Sequence, residues 1–340
     1  MKISVIYGYS EASPDDLKYI ENLLGKYDIE SSIMYVDDLE KLDKDIDLII
    51  TIGGDDIILK TLLYLYDKEI PLLSLYGRRS RGFLYVAGIN LFPELLNEII
   101  RRNYIVEDRV RLAIKMGSKT LPPVLNDAVI LSKVSGRLIR YSLYINNEFI
   151  WRDDADGVIV STPTGSTAYA LSAGGSIIKD ANVFEIVPIN TLIPTHKPIV
   201  TSSKNRILIC DLTPDEYILI LDGQIRIEID TDKIEFYRSK YRARFIKLRD
   251  STNFSIDKRL VRRMIPSAEA DILKDMPPSA KLIYKVLEYE GPLTYRELLI
   301  KSGLPARTLR YALNKLLSRG IIIKSHLDRD VRKMIYMLKK

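Results

Sequence analysis

An apolar, β-branched run that ends on two glycines and two aspartates, Ile46-Asp47-Leu48-Ile49-Ile50-Thr51-Ile52-Gly53-Gly54-Asp55-Asp56, constrains this chain more than any other segment. From Leu48 to Gly53 no residue is charged, which suits a strand buried on both faces. The glycines permit a tight turn that a phosphate can approach. Ile57 to Tyr66 reads as a helix, so the turn N–H groups and the helix N-terminus can face an anion. Asp55 stands where a carboxylate could hold a metal ion or accept a proton from a hydroxyl. Taken alone, the segment reads best as a strand–turn–helix corner with an Asp N-cap.

A second segment reverses that judgement. Asp156-Gly157-Val158-Ile159-Val160-Ser161-Thr162-Pro163-Thr164-Gly165-Ser166-Thr167-Ala168-Tyr169-Ala170 reads as a strand, a hydroxyl-rich turn and a short helix with Ser166 as its N-cap. Its hydroxyls and one aromatic face suit a ribose, an amide-bearing ring and an adenine edge. A third segment, Asn126-Asp127-Ala128-Val129-Ile130, begins another strand on a paired amide and carboxylate.

In that order, a GGDG-type turn, an Asn-Glu/Asp pair and a DG…STPTGSTAY-type segment resemble the NAD kinase family. The third match is long and nearly residue for residue, whereas the first is shared with diacylglycerol kinases, sphingosine kinases and phosphofructokinases. Gly77-Arg78-Arg79-Ser80-Arg81-Gly82-Phe83-Leu84 and Asp222-Gly223-Gln224 also resemble family segments. Two residues depart from the pattern: Asp56 stands where the family usually has glycine, and Arg81 where it often has leucine.

The resemblance implies transfer of the γ-phosphoryl of ATP to the adenosine-ribose 2′-hydroxyl of NAD, giving NADP, with Mg2+ or another divalent cation. Gly53 and Gly54 would lie against phosphates, with Asp56 and Phe83 nearby, and Asp55 would activate the hydroxyl. Asn126 and Asp127 would hold the ribose and adenosine side. Asp156 would bond the carboxamide across a subunit contact. Thr164, Thr167, Ala168, Tyr169 and Ser172 would line the adenine pocket, and Gln224 would border the site. Family members are homo-oligomers, so a homodimer or homotetramer is expected.

The 340 residues suffice for two or three domains with proper cores. The single cysteine, Cys210, excludes an internal disulfide and a thiolate cluster and reads as buried core. His196 and His326 lie too far apart to suggest a His-based metal site or a Ser-His-Asp hydrolase. No apolar run approaches a membrane span and the first residues read as a strand, so a cytoplasmic, membrane-free protein is expected.

Strand and helix patterns alternate over residues 1–110, predicting an α/β nucleotide (ATP)-binding domain with a parallel sheet. From 111 to 265 period-two strands predict a β-rich, NAD-binding domain whose tail, after Arg249, packs back on the first. This is an NAD kinase/diacylglycerol kinase-like arrangement. A linker is expected over 266–278. Residues 279–340 read helix–helix–turn–helix–hairpin, with a capping box from Thr294 to Glu297, and resemble a winged helix-turn-helix domain.

Charge supports that division. Ser251 to Lys340 holds 19 Lys/Arg against 9 Asp/Glu, or +10, leaving 51 − 19 = 32 against 45 − 9 = 36, or −4, for the remainder. A basic end suits duplex DNA or an acidic partner. On a recognition helix Arg307, Thr308, Arg310, Tyr311 and Asn314 would face the groove, and Arg329, Arg332 and Lys333 would form a wing on phosphates. The plainer reading packs Tyr311 in the core and leaves the arginines solvated. A second functional reading keeps the kinase core as an NAD(P) sensor in a transcription regulator without turnover.

Overall fold

Strand Leu48–Ile52 is buried at all of its residues, as its uncharged β-branched run requires. In the computed structural model, which describes residues 1–9, 11–43, 45–77, 84–248, 276–290, 293–302, 304–327 and 330–338, it lies inside a mostly parallel sheet. The sheet order is Glu30–Tyr35, Lys2–Tyr7, Leu48–Ile52, Leu72–Tyr76, Ala243–Leu248, Tyr104–Arg109. Helices Pro14–Lys26 and Phe92–Ile100 cover one face with Ile20, Leu24, Phe92 and Leu96. Helix Asp55–Leu65 covers the other with Ile58, Leu59 and Leu62. Helices on both faces explain why these strands read as continuous apolar runs rather than alternating ones. Ser13 starts the first helix with a capping box: its hydroxyl accepts the Asp16 N–H, and Asp16 accepts the Ser13 N–H.

Two six-stranded antiparallel sheets follow and pack face to face. One runs Glu148–Ala155, Ile139–Ile145, Ile207–Cys210, Lys233–Arg238, Leu112–Met116, Lys119–Val124. The other runs Ile199–Ser202, Val183–Ile189, Gly157–Ser161, Asp127–Ser132, Tyr217–Leu221, Ile225–Glu228. The Asn146-Asn147 turn signal is a two-residue hairpin loop with both residues at positive φ, 51° and 69°. Cys210, expected in the core, alternates outward and is only half-buried.

The chain returns to the first sheet as Ala243–Leu248, which runs parallel to Leu72–Tyr76 and antiparallel to Tyr104–Arg109. That return precedes the tail expected after Arg249, which lies outside the described residues. Contacts divide the chain into Met1–Leu260 and Val261–Lys340. In the second unit, helices Pro278–Glu290, Tyr295–Ser302 and Ala306–Ser318 precede the hairpin Ile322–Leu327/Asp330–Leu338, with Leu293–Thr294 as a short third strand. Glu297 accepts both the Thr294 N–H and hydroxyl, completing the expected capping box. Met276, expected in a linker, is buried in this unit's core with Ile283, Leu309 and Leu313.

Phe245 is fully buried in the returning strand, under the Arg109 guanidinium at 4.8 Å. Phe245→Ala should destabilise the first unit by about 3–5 kcal/mol, read as a lower urea midpoint while the second unit's transition stays in place. Equal shifts in both transitions would refute the placement.

Candidate functional site

Three neighbouring parallel strands of the first sheet, Lys2–Tyr7, Leu48–Ile52 and Leu72–Tyr76, are each followed by glycine at the C-terminal end. A Cβ on Gly53 (φ 151°) would lie 2.5 Å from Ile57 Cγ1, on Gly8 2.8 Å from Ile57 Cδ1, and on Gly77 2.3 Å from the Glu11 carbonyl oxygen. The glycines are closed over by Ile57 and Glu11, and the Gly8 and Gly53 N–H groups donate to the Ile52 and Leu75 carbonyls at 3.1 and 3.0 Å; these strand ends lie where α/β sheets accept ligands. Gly8 was not singled out by the sequence, although a strand ending on glycine beside Gly53 was a signal for it. Gly54, not an aspartate, is the N-cap of helix Asp55–Leu65. Asp55 is its first residue, half-buried, and its Oδ1 accepts the Leu84 N–H at 2.9 Å. Asp56 points to solvent. Phe83 lies outside the described residues.

The second cluster is built around Asp222. Its carboxylate accepts three backbone N–H groups, from Leu125 (2.8 Å), Asn126 (2.7 Å) and Asp127 (3.1 Å). Its own N–H donates to the Asp127 carbonyl at 2.9 Å. Asp222 and Gly223 occupy positive φ, 49° and 69°, which an Asp-Gly pair tolerates. Burial raises the Asp222 carboxyl, opposed by those three bonds. Asp127 is 5% exposed; burial first, then the Asp222 charge, pushes it up to about 7, against a hydrogen bond from the Tyr169 backbone. Asp222 therefore shapes the Asn126 turn from behind.

The hydroxyl-rich turn docks on the same spot. The Thr162 N–H donates to the Asn126 carbonyl at 2.9 Å, and a Cβ on Gly165 would lie 2.0 Å from that carbonyl oxygen, so only glycine fits. Residues 165–167 form a 3-10 turn and Tyr169–Ser172 a short helix, separated by Ala168. Ser166 is not an N-cap: its hydroxyl donates to the Pro163 carbonyl and accepts the Ile178 N–H. Tyr169, 43% exposed, shares a cavity of about 310 Å3 with Asn126, Asp127, Ala168, Asp222 and Gly223.

Other expected residues stand apart from this cavity. Thr167 is buried and donates to the Thr164 carbonyl, whereas Ser172 is exposed. Thr164 lines a different cavity, about 410 Å3, with Arg109, Asn182 and Arg238. Gln224 lines a third beside Tyr64 and Tyr66. Asp156 precedes strand Gly157–Ser161 and accepts from Asn190 Nδ2 at 2.8 Å. It is thus at the opposite end of that strand from Tyr169, roughly 15 Å along the chain at the usual strand rise.

In the second unit Arg307, Arg310 and Asn314 are exposed on helix Ala306–Ser318, and Thr308 is half-buried. Tyr311 is 52% exposed, so the core-packing alternative fails for it. Lys315, not singled out by the sequence, lies over the Tyr311 ring at 5.9 Å. Arg329 lies outside the described residues, as do the side chains of Arg332 and Lys333 on strand Asp330–Leu338.

The raised Asp127 carboxyl has a thermodynamic consequence. The folded state binds this proton more tightly than the unfolded chain, so the contribution is favourable at low pH and is lost as pH rises from about 4 to about 7. Asp127→Asn keeps an acceptor for the Tyr169 N–H and removes that loss. Relative to wild type, the variant should gain about 1–3 kcal/mol across this window, followed as the difference in Tm. A difference that stays flat with pH would mean that Asp127 is ionised throughout.

Comparison with known proteins bears on this geometry directly. The family model of the ATP-NAD kinase C-terminal domain matches residues 125–248, and that of a winged helix-turn-helix DNA-binding domain matches 278–323. The NAD kinase of Methanothermobacter thermautotrophicus is 34% identical over 217 residues, 63% of this chain and 75% of the relative. That of Thermococcus gammatolerans is 34% identical over 207 residues, 60% of this chain and 74% of the relative. An Archaeoglobus fulgidus NAD kinase, solved in complex with ATP, superposes with a TM-score of 0.66 at 25% identity, over 76% of this chain and 98% of that one. Yeast NADH kinase, solved with NADH, shares the fold at a TM-score of 0.65 and 20% identity, over 79% of this chain and 88% of that one. The chain belongs to the NAD kinase family and carries, after its kinase unit, a winged helix-turn-helix domain.

Proposed function

We propose that the protein phosphorylates NAD on the 2′-hydroxyl of its adenosine ribose, with ATP as donor, and that its C-terminal unit binds duplex DNA. The observation that carries the first half is the Asp222 clamp, which joins the Asn126-Asp127 turn to the Thr162–Tyr169 segment in one cavity. Family membership supplies the chemistry. In this reading residues 1–110 bind the donor, 111–265 bind NAD, and 279–340 contact DNA.

Phosphoryl transfer depends on positioning and on neutralising phosphate charge. The strand ends at Gly8, Gly53 and Gly77, beside the N-terminus of helix Asp55–Leu65, are where the phosphates would approach. Asp55, fixed by the Leu84 N–H, would accept the 2′-hydroxyl proton as the γ-phosphoryl is attacked. Asn126 and Asp127 would hold the ribose, and the exposed ring of Tyr169 would stack on adenine. Among the described residues no group of three or more His, Cys, Asp or Glu forms a metal cage. A divalent cation would be held on the ATP phosphates, as Mg2+ commonly is, with Asp55 and Asp56 as adjacent carboxylates. Bound there, it would offset charge on the phosphate oxygens.

The position of Asp156, at the far end of its strand from Tyr169, favours a homodimer or homotetramer in which Asp156 of one copy serves NAD bound by another. The protein is proposed to work in the cytoplasm; among the described residues no helix is long and apolar enough to cross a membrane.

The test is NADP formation from NAD, ATP and Mg2+. Asp55→Asn should lower kcat by about 10²–10⁴-fold, the usual range for lost proton transfer, with NAD affinity unchanged within a few-fold. NAD binding without turnover in the wild-type protein would instead favour a sensing regulator. That second reading is motivated by the exposed carboxylate of Asp56 where the family usually has glycine.

For the C-terminal unit, the exposed face of Arg307, Arg310, Tyr311 and Asn314 supports a recognition helix. Binding of the full chain to duplex DNA should fall log-linearly with salt. Arg307→Ala with Arg310→Ala should weaken it and relax sequence preference, whereas Lys333→Ala should weaken all sequences alike. Fluorescence anisotropy with genomic fragments measures both. Salt-independent or undetectable binding would refute the assignment.

A further inference from the structure

Val110 and Arg111 carry the chain from the first sheet into the sandwich, between strands Tyr104–Arg109 and Leu112–Met116. Where the chain crosses back, the Ser239 N–H donates to the Arg111 carbonyl at 2.9 Å. The Arg111 side chain is completely buried at this crossing. Burial lowers its pKa to about 10, with the Asp222 and Glu69 charges opposing, so the guanidinium stays charged at neutral pH.

That buried fork holds two parts of the site. Its Nη2 donates to the Leu62 carbonyl at 2.8 Å and its Nη1 to the Tyr66 carbonyl at 3.0 Å. These carbonyls close the helix whose first residue is Asp55, and a cation is favoured at a helix C-terminus. The same Nη2 donates to the Pro123 carbonyl at 2.6 Å, three residues before Asn126. Packing follows the same seam: Val124 points into the sandwich core and Leu125 into the core beneath helix Asp55–Leu65. Arg111 Nε has no acceptor among the described residues; Nη1 and Nη2 make the three bonds that join helix to turn.

We propose that Arg111 is a positioning residue, setting the spacing between the Asp55 helix and the Asn126-Asp127 turn so that the acceptor hydroxyl meets the carboxylate in line with the donor. The inference rests on the kinase reading above. It concerns alignment of two half-sites, each of which keeps its own ligand without Arg111. A lysine keeps the charge but has one nitrogen in place of a planar fork, and cannot span the three carbonyls in the same geometry.

The test uses the full chain with Arg111→Lys and Arg111→Met, and reads kcat per folded molecule, KM for ATP, Kd for NAD by calorimetry, and hydrogen exchange at the Leu125–Asp127 amides. Misalignment near 1 Å costs on the order of 10²-fold in rate. Arg111→Met should lose about that much kcat, and Arg111→Lys about 10-fold. KM for ATP, Kd for NAD and amide protection should stay within about three-fold of wild type. If Arg111→Met does not fold, Arg111→Lys alone decides by the same split. The proposal is overturned if kcat per folded molecule is unchanged in the folded variants. It is equally overturned if kcat falls only in step with NAD affinity and amide protection, which would make Arg111 a support of the turn alone. A wild-type protein that makes no NADP would sink the kinase reading itself, a separate result.

Discussion

A carboxylate placed out of water must be satisfied by fixed donors, and in this protein the Asp222 carboxylate is satisfied by the backbone of Leu125, Asn126 and Asp127. Leaving a buried charge unpaired would cost several kcal/mol, so the three N–H groups must converge on it whenever the chain is folded. Convergence forces a turn at the start of strand Asp127–Ser132. It also turns the Asn126 carbonyl outward to accept from Thr162 and to crowd Gly165. One buried anion thereby shapes two segments that are 35 or more residues apart.

The same segment is where the two cores of the first unit interlock. Alternation along Val124-Leu125 sends one side chain into each core, and Leu63, on helix Asp55–Leu65, packs into the sandwich core as well. Helix Asp55–Leu65 is therefore shared between the lobes rather than owned by one of them. Dense packing transmits displacement without absorbing it, so the Asp55 carboxylate and the Asn126 turn hold a fixed separation. A cleft assembled in this manner can be water-accessible at its mouth while its floor is rigid.

Much of this was legible in the sequence, and the reason differs by element. The parallel strands and their helices were readable because burial on both faces leaves an uncharged run, and Ser13 and Thr294 announced their helices by local capping chemistry. The Asn-Asn hairpin was readable because two positive φ angles demand such residues. Three features depended on distant sequence and were not. The return strand Ala243–Leu248 is recruited by pairing with Leu72–Tyr76 and Tyr104–Arg109, which nothing in its own composition announces. Arg111 looks like an ordinary cation between strands until the helix end at Leu62 and Tyr66 surrounds it. Ser166, flanked by turn residues, had the local chemistry of an N-cap, but tertiary contact with Ile178 claimed its hydroxyl. Motif named the candidate residues, yet motif alone could not separate Asn126 and Tyr169, which share a cavity, from Asp156, Thr164 and Gln224, which do not line it.

Charge is used in two different ways along this chain. Residues 1–250 carry a formal balance of −4, from 32 Lys/Arg and 36 Asp/Glu, yet this part is proposed to take nucleotides bearing several negative charges. Long-range attraction cannot account for that. Local donors can: a helix N-terminus presents N–H groups at contact distance, where a direct dipolar contact outweighs a small, diffuse net charge. Residues 251–340 carry +10 and face the opposite problem. A polyanion such as duplex DNA is recognised first through its field and its released counterions, which no single helix terminus supplies. Opposite signs on the two parts thus fit two ligands of the same sign, one held by preorganised dipoles and the other by accumulated charge.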